Sequence, residues 1–439
     1  MTSEIRALMS LAFPIVVSMA AATLIGVVDT VMIAPLGTVP LAAASITASV
    51  SILFYASLYG FTAVIGVRMA EAHGQKKPQA LSDATRNGLI VASVTGTLGA
   101  AAMLAVEPAL GWLGQPPEVT QILGAYWTAM SLLVIPFMVF YTLKALFDAI
   151  ERPWLGVGLA FVAVILNVPA NLLLIHGIGD WPGLGLLGAG VASLISQCVS
   201  LILAWVIWRR ASATADARLP RLRTRRELGV QLKEGSVIAI GYLGEGGAYT
   251  FASLMMGWFS AVTLAAHQIV ASVGDVLYMV PLGVSVAVSI RISQAIGANQ
   301  RQRLIKIGLA ALIVIVTWMV VVMLGVLAAG GVISRALSTD LDVVALATSM
   351  FVVIAFMQIA DGVQGTMLGA ARGMMDNRMP VVITLVCYWA LALPLGYVLG
   401  FVLEFGPNGI WIGYGLGLLA SALALTQRFF VLARTAVRP

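Results

Sequence analysis

The feature that most constrains this chain is a rhythm. Apolar stretches of about twenty residues or more, separated by short polar connections, run from one end to the other. A helix crossing the hydrocarbon core of a bilayer takes about 20 apolar residues, each rising roughly 1.5 Å. By that measure helices are predicted near residues 9–33, 41–67, 88–110, 121–147, 154–176, 184–208, 235–259, 264–290, 305–330, 343–370, 379–403 and 409–432. With 60% apolar and only 10% charged residues, a 439-residue soluble fold could not cover its surface, whereas a bilayer solvates that excess. The first stretch, Leu11 to Ile33, is too long for a signal-peptide core and lacks a small-residue cleavage site, so it is expected to stay as a helix. Cys198 and Cys387 fall inside apolar stretches without metal or redox spacing and read as packing.

Charge gives an independent check. Twelve crossings put both termini and every second connection on one side. That side collects Arg6, then Arg68, Lys76, Lys77 and Arg86, then Lys144 and Arg152, then eight basic residues from Arg209 to Lys233. Arg291, Arg301, Arg303, Lys306, Arg372, Arg378, Arg428, Arg434 and Arg438 bring it to 24 of the 25 Lys and Arg, leaving Arg335 opposite. Positive connections face the cytoplasm, so a multi-pass inner-membrane protein with both termini inside is expected. The net charge of +6 therefore points to topology and lipid headgroups rather than nucleic acid.

The chain also repeats itself. Shifted by 223 positions, Leu41-Ala42-Ala43 falls on Leu264-Ala265-Ala266, and Val67-Arg68-Met69 falls on Ile290-Arg291-Ile292. After short insertions Pro153 meets Pro380 and Pro169 meets Pro394. Six helices per half, an even number, give both halves the same orientation and imply a pseudo-two-fold axis along the membrane normal. The expected fold is thus an all-α integral membrane protein of two six-helix bundles, residues 1–208 and 235–439, joined by a cytoplasmic linker over 209–234. Two such lobes with a cavity between them can rock to give alternating access, which favours a transporter over a channel or an enzyme.

Four carboxylates, Asp29, Glu245, Asp275 and Asp361, lie inside apolar helices, with no Lys or Arg expected at their depth. Each costs about 2.5–3.5 kcal/mol at the bilayer centre on insertion scales, so each must be protonated or hold a cation. Glu245 sits among Gly241, Gly244, Gly246 and Gly247, small neighbours that let another helix or an ion approach. Asp361 lies between Gln358 and Gln364 in a polar stripe, and Gly365, Gly369 and Gly373 continue as a close-packing edge. Asp275 shares a face with Ser272 and Tyr278, so a local hydrogen bond is an alternative to a role in coupling. Asn167 and Asn171 flank Pro169, which frees a carbonyl; two amides and that carbonyl either help ligate a small cation near Asp29 or bond helix to helix. Tyr249, Tyr278, Gln358 and Gln364 join the acids as candidate lining of a drug cavity. His73 and His267 read as loop and packing residues. No GxxxxGK[ST] loop, zinc spacing or nucleophile elbow occurs, so neither ATP nor catalysis is expected.

Three stretches then point to a family: Gly26-Val-Val-Asp29-Thr30-Val-Met32, Ala265-Ala266-His267-Gln268, and Gly369-Ala-Ala-Arg372-Gly373-Met-Met-Asp376. The chain resembles multidrug and toxic compound extrusion (MATE) transporters of the NorM-like branch over nearly its whole length. The resemblance implies a monomer that exports small amphipathic or cationic drugs against Na+ or H+, with no further cofactor. It implies a coupling site at Glu245 and Asp361, where Na+ would bind, and a counterpart at Asp29, Asn167 and Asn171. Asp275 stands where that pattern has a small polar residue. A lipid-linked saccharide flippase of the same superfamily is the alternative, but it would need a cationic cavity, and the buried charges counted here are acidic.

Overall fold

The computed structural model of the chain describes residues 1–110, 117–219 and 225–437. Arg221 and Arg223 of the expected linker, and Arg438, lie outside the described residues. Twelve long helices follow one another: α1 (Thr2–Ile33), α2 (Thr38–Gly74), α3 (Pro78–Val106), α4 (Pro117–Ala149), α5 (Pro153–His176), α6 (Leu186–Arg210), α7 (Arg225–Gly257), α8 (Ala261–Gly297), α9 (Arg303–Leu337), α10 (Leu341–Gly373), α11 (Arg378–Val402) and α12 (Gly406–Val437). Each overlaps most of one expected span; eight contain theirs whole, and α3, α6, α7 and α11 fall one to four residues short of theirs at one end. Eleven are long and apolar enough to cross a membrane; α7 falls short on apolarity, diluted by the glycines and tyrosines around Glu245 and by Glu245 itself.

Several helices overrun the expected bounds by seven to ten residues, among them α3, which begins at Pro78, and α7, which begins at Arg225. Apolarity stops at the edge of the hydrocarbon, but a helix stops only where its backbone is capped. Four helices end on the same device. After α2, Lys76 takes a left-handed φ of 53° and Lys77 N–H reaches back to the Ala72 carbonyl at 3.3 Å. After α8, Asn299 does the same at 57°, with Gln300 N–H on Ala295 at 2.8 Å. Glu151 after α4 and Met375 after α10 form a second such pair. These are Schellman-type caps, satisfying carbonyls left open at a helix end. Their offsets, 223 for the first pair and 224 for the second, carry the sequence repeat into the backbone.

The chain divides into two compact units, Val17–Ala239 and Met1–Val16 with Ile240–Pro439. The breaks fall inside α1 and α7, at positions again 223 apart. Within the first unit α4 is the hub, packing on α2, α3 and α6; within the second it is α10, packing on α8, α9 and α12. The linker segment Ser212–Arg218 folds onto its own unit. Arg86 donates to the Arg218 carbonyl at 2.8 Å, Ser82 to that of Leu219 at 2.6 Å, and Trp208 to that of Ala217 at 3.3 Å.

Matched glycines seat the two borrowed helix segments. In the first unit Gly60 of α2 lies so close to α7 that a Cβ there would come within 2.7 Å of the Ala239 nitrogen. In the second, Gly283 of α8 holds the same place against Val16 of α1. Gly60→Ala and Gly283→Ala are each expected to lower the melting temperature in detergent, by an amount corresponding to about 1–3 kcal/mol. Gly325→Ala, whose Cβ meets nothing within 4 Å, should leave it unchanged or slightly raised.

Candidate functional site

In the second unit, α7 and α11 are drawn together by the glycines around Glu245. Val381, Leu385 and Trp389 of α11 lie over Gly241, Gly244 and Gly247 respectively, and Trp389 donates to the Gly244 carbonyl at 2.9 Å. This contact presents Tyr388, which is buried and donates to Glu245 Oε1 at 3.1 Å. Tyr388 belongs to a π-helical turn, Cys387–Ala392, followed after Pro394 by another, Val398–Val402. Such turns widen a helix locally and occur often at functional sites.

Asp361 comes from α10, whose Gly365, Gly369 and Gly373 form the anticipated edge against α8. Ser285 of α8 donates to the Gly365 carbonyl at 2.7 Å, and Ser293 to that of Gly373 at 3.1 Å. Asp361 makes no hydrogen bond among the described residues, and it is close enough to Glu245 for their charges to interact. Tyr278, Tyr388 and Tyr414 stand within electrostatic reach of both carboxylates, with Tyr388 and Tyr414 stacked at 5.4 Å. Gln358 and Gln364 are buried, and both amide atoms of Gln364 lack a partner. Tyr249 feels both Asp361 and Asp275. Asp275 is itself exposed on α8, and Ser272 donates its hydroxyl to the Gln268 carbonyl. His267 is buried against Tyr249 and Trp411 and shares a hydrogen bond with Ser253, in keeping with a packing role.

The expectation that no base lies at the depth of these acids is qualified at one of them: Arg372 comes within electrostatic reach of Glu245, though the two form no ion pair among the described residues. Counted from sequence as a connection residue, the arginine is 8% exposed and donates to Tyr242 Oη at 2.9 Å. Lys144, counted the same way, is also buried and pairs with Asp148 at 2.9 Å, an (i, i+4) ion pair inside α4.

In the first unit, Asp29 of α1 accepts from Asn171 Nδ2 at 2.6 Å on one oxygen and from Ser193 Oγ at 2.7 Å on the other. Asn167 donates to Ser193 at 3.0 Å, and Asn171 to Asn167 Oδ1 at 3.0 Å, closing a buried network across α1, α5 and α6. Interhelical bonding thus occurs, while Asn171 Oδ1 is buried without a hydrogen-bond partner among the described residues. Ser193 was not foreseen. Its signal was a row of serines on α6, Ser193, Ser196 and Ser200, in an otherwise apolar helix. Ser193→Ala removes a donor from Asp29 and an acceptor from Asn167, and should cost about 1–3 kcal/mol in thermal unfolding.

The comparisons with known proteins bear on the family and the fold. The MatE family model matches the chain twice, over residues 14–173 and 238–398, once in each half. A probable multidrug resistance protein NorM of Bradyrhizobium diazoefficiens is 32% identical over 93% of this chain and 89% of its own length. Among solved structures, the outward-facing conformation of a multidrug resistance MATE family transporter aligns with a TM-score of 0.90 at 15% identity, covering 99% of this chain and 97% of that one. A MOP superfamily transporter from Pyrococcus furiosus, whose reversed binding-pocket polarity suggests a different function, aligns at 0.89 and 15% identity, with 99% and 97% covered. A family model that recurs in both halves, with relatives matched nearly end to end, places this chain in the MatE family.

Proposed function

We infer that the chain is a secondary multidrug exporter, moving small amphipathic or cationic compounds out of the cell in exchange for Na+ or H+. The observation that carries the reading is the meeting of Glu245 and Asp361, from different helices, amid tyrosines in a bilayer-spanning bundle. Two neighbouring carboxylates in low dielectric cannot both stay ionised without positive charge, and a proton, a sodium ion or a cationic drug can each supply it. Sharing the same acids makes ion and drug compete, and that competition is the coupling. Oxygens for a sodium ion are at hand in the carboxylates, in Tyr388 and in the unpartnered Gln364 amide. Asp29, Asn167, Asn171 and Ser193 form the corresponding candidate in the other half.

One charge crossing 100 mV is worth about 2.3 kcal/mol, equivalent to roughly a 50-fold gradient. A monocationic drug leaving for each cation entering cancels that contribution, so the ion's chemical gradient drives the exchange. The saccharide-flippase alternative is not favoured, since the named relatives are multidrug resistance proteins.

Reconstituted in proteoliposomes, the protein should expel ethidium when a sodium or a proton gradient is imposed, and comparing the two separately identifies the ion. Glu245→Gln and Asp361→Asn should each reduce gradient-driven efflux at least tenfold; efflux at the native rate in either would remove the pair from the mechanism. Single cysteines placed at Lys76 and Asn299 should react with a membrane-impermeant thiol reagent only from the cytoplasmic side. Labelling from outside would reverse the proposed orientation.

A further inference from the structure

We propose that Arg372 is a tethered competitor for the coupling cation: anchored on Tyr242, its guanidinium weakens the hold of Glu245 on the ion and covers the carboxylate when that ion departs. The inference rests on the reading of Glu245 and Asp361 as the coupling pair, and it adds the group that keeps their ion releasable.

The geometry begins with α7. Tyr242 and Glu245 are three residues apart and so share a face. Arg372 packs onto that face from the last turn of α10, with its guanidinium carbon 4.9 Å from the Tyr242 ring centroid and its Nη1 on the hydroxyl at 2.9 Å. Asp361 and Arg372 are eleven residues apart on α10, close to three full turns, so they too share a face, about 16 Å apart along the axis. The groups within electrostatic reach of Glu245 are Tyr278 of α8, Tyr388 of α11, Tyr414 of α12, and Asp361 and Arg372 of α10. Arg372 alone among them is basic.

The internal repeat acts as a control. In the first half, the position equivalent to Arg372 is Asp148, as the matched caps of α4 and α10 establish, and Asp148 is committed to Lys144. The positions equivalent to Glu245 and Asp361 are Ala22 and Phe137. The half without the acid pair has no arginine at the matching position, and its buried base, Lys144, is taken by Asp148.

The physical need is clear. A carboxylate pair that bound its ion without opposition would not release it, and one left bare after release would be an uncompensated charge in hydrocarbon. A guanidinium on a flexible stem answers both. Its field lowers affinity while it rests on Tyr242, and its reach allows it to follow the vacated charge.

The test is the ion concentration giving half-maximal drug efflux by the full-length protein in proteoliposomes, measured separately for sodium and for protons. Arg372→Gln should lower it about tenfold for whichever ion couples, the effect of removing one nearby unit charge, and slow the maximal rate. Tyr242→Phe keeps the ring but removes the hydroxyl on which Nη1 rests, shifting the guanidinium's balance towards Glu245, so it should raise the concentration several-fold. Arg372→Lys should recover most of the Gln variant's shift. Changes of the same sign in Arg372→Gln and Tyr242→Phe, or none in either, would overturn the proposal. Should Arg372→Gln fail to reach the membrane, the Tyr242→Phe shift decides alone. The two readings separate through Glu245→Gln. If that variant loses coupling while Arg372→Gln shifts nothing, only the role of Arg372 fails; if it stays fully coupled, the acid pair and the arginine fall together.

Discussion

Charge in hydrocarbon must be answered by charge or by a proton, and the internal arrangement of this protein follows from how each buried acid meets that requirement. Asp148 has Lys144 as a permanent partner. Asp29 has two neutral donors, which stabilise its ionised form without cancelling it. Glu245 has one donor and Asp361 none among the described residues, with an arginine held at a remove on Tyr242. The series runs from a closed structural pair to an acid pair open to a mobile occupant, all on one helical scaffold. Exchange needs the open end of that series.

The scaffold itself was legible because a helix in lipid has no other partner for its backbone, so apolar length and helix coincide. All twelve helices could be read that way, even α7, where Gly241, Gly244, Glu245 and Tyr249 dilute the apolar signal. Helix ends were not legible. They depend on single left-handed residues such as Lys76, Glu151 and Met375, whose side chains do not advertise that conformation.

The acids were found because they break an apolar pattern; their partners were harder to find. Arg372 and Lys144 sit within a turn or two of helix ends, where counting by sequence assigns them to connections, and only packing shows that they turn inward. Ser193 is too common a residue in tightly packed membrane helices to stand out until Asp29 is seen against it. Asp275 is less telling: Ser272 and Tyr278 share its face by spacing, and the serine's proton goes to its own helix. Spacing places residues on a face and leaves open which neighbour each will choose.

The division of α1 and α7 between the two units has a consequence for biogenesis. The compact unit built on Val17–Ala239 is incomplete until the start of α7 has left the ribosome, and the other cannot close without Met1–Val16, made well before the rest of it. Neither half of the gene encodes a finished module. The amino-terminal turns must stay unclaimed in the bilayer through the synthesis of α8, and a chain severed between α6 and α7 would have to trade helical segments across the cut before either piece matured.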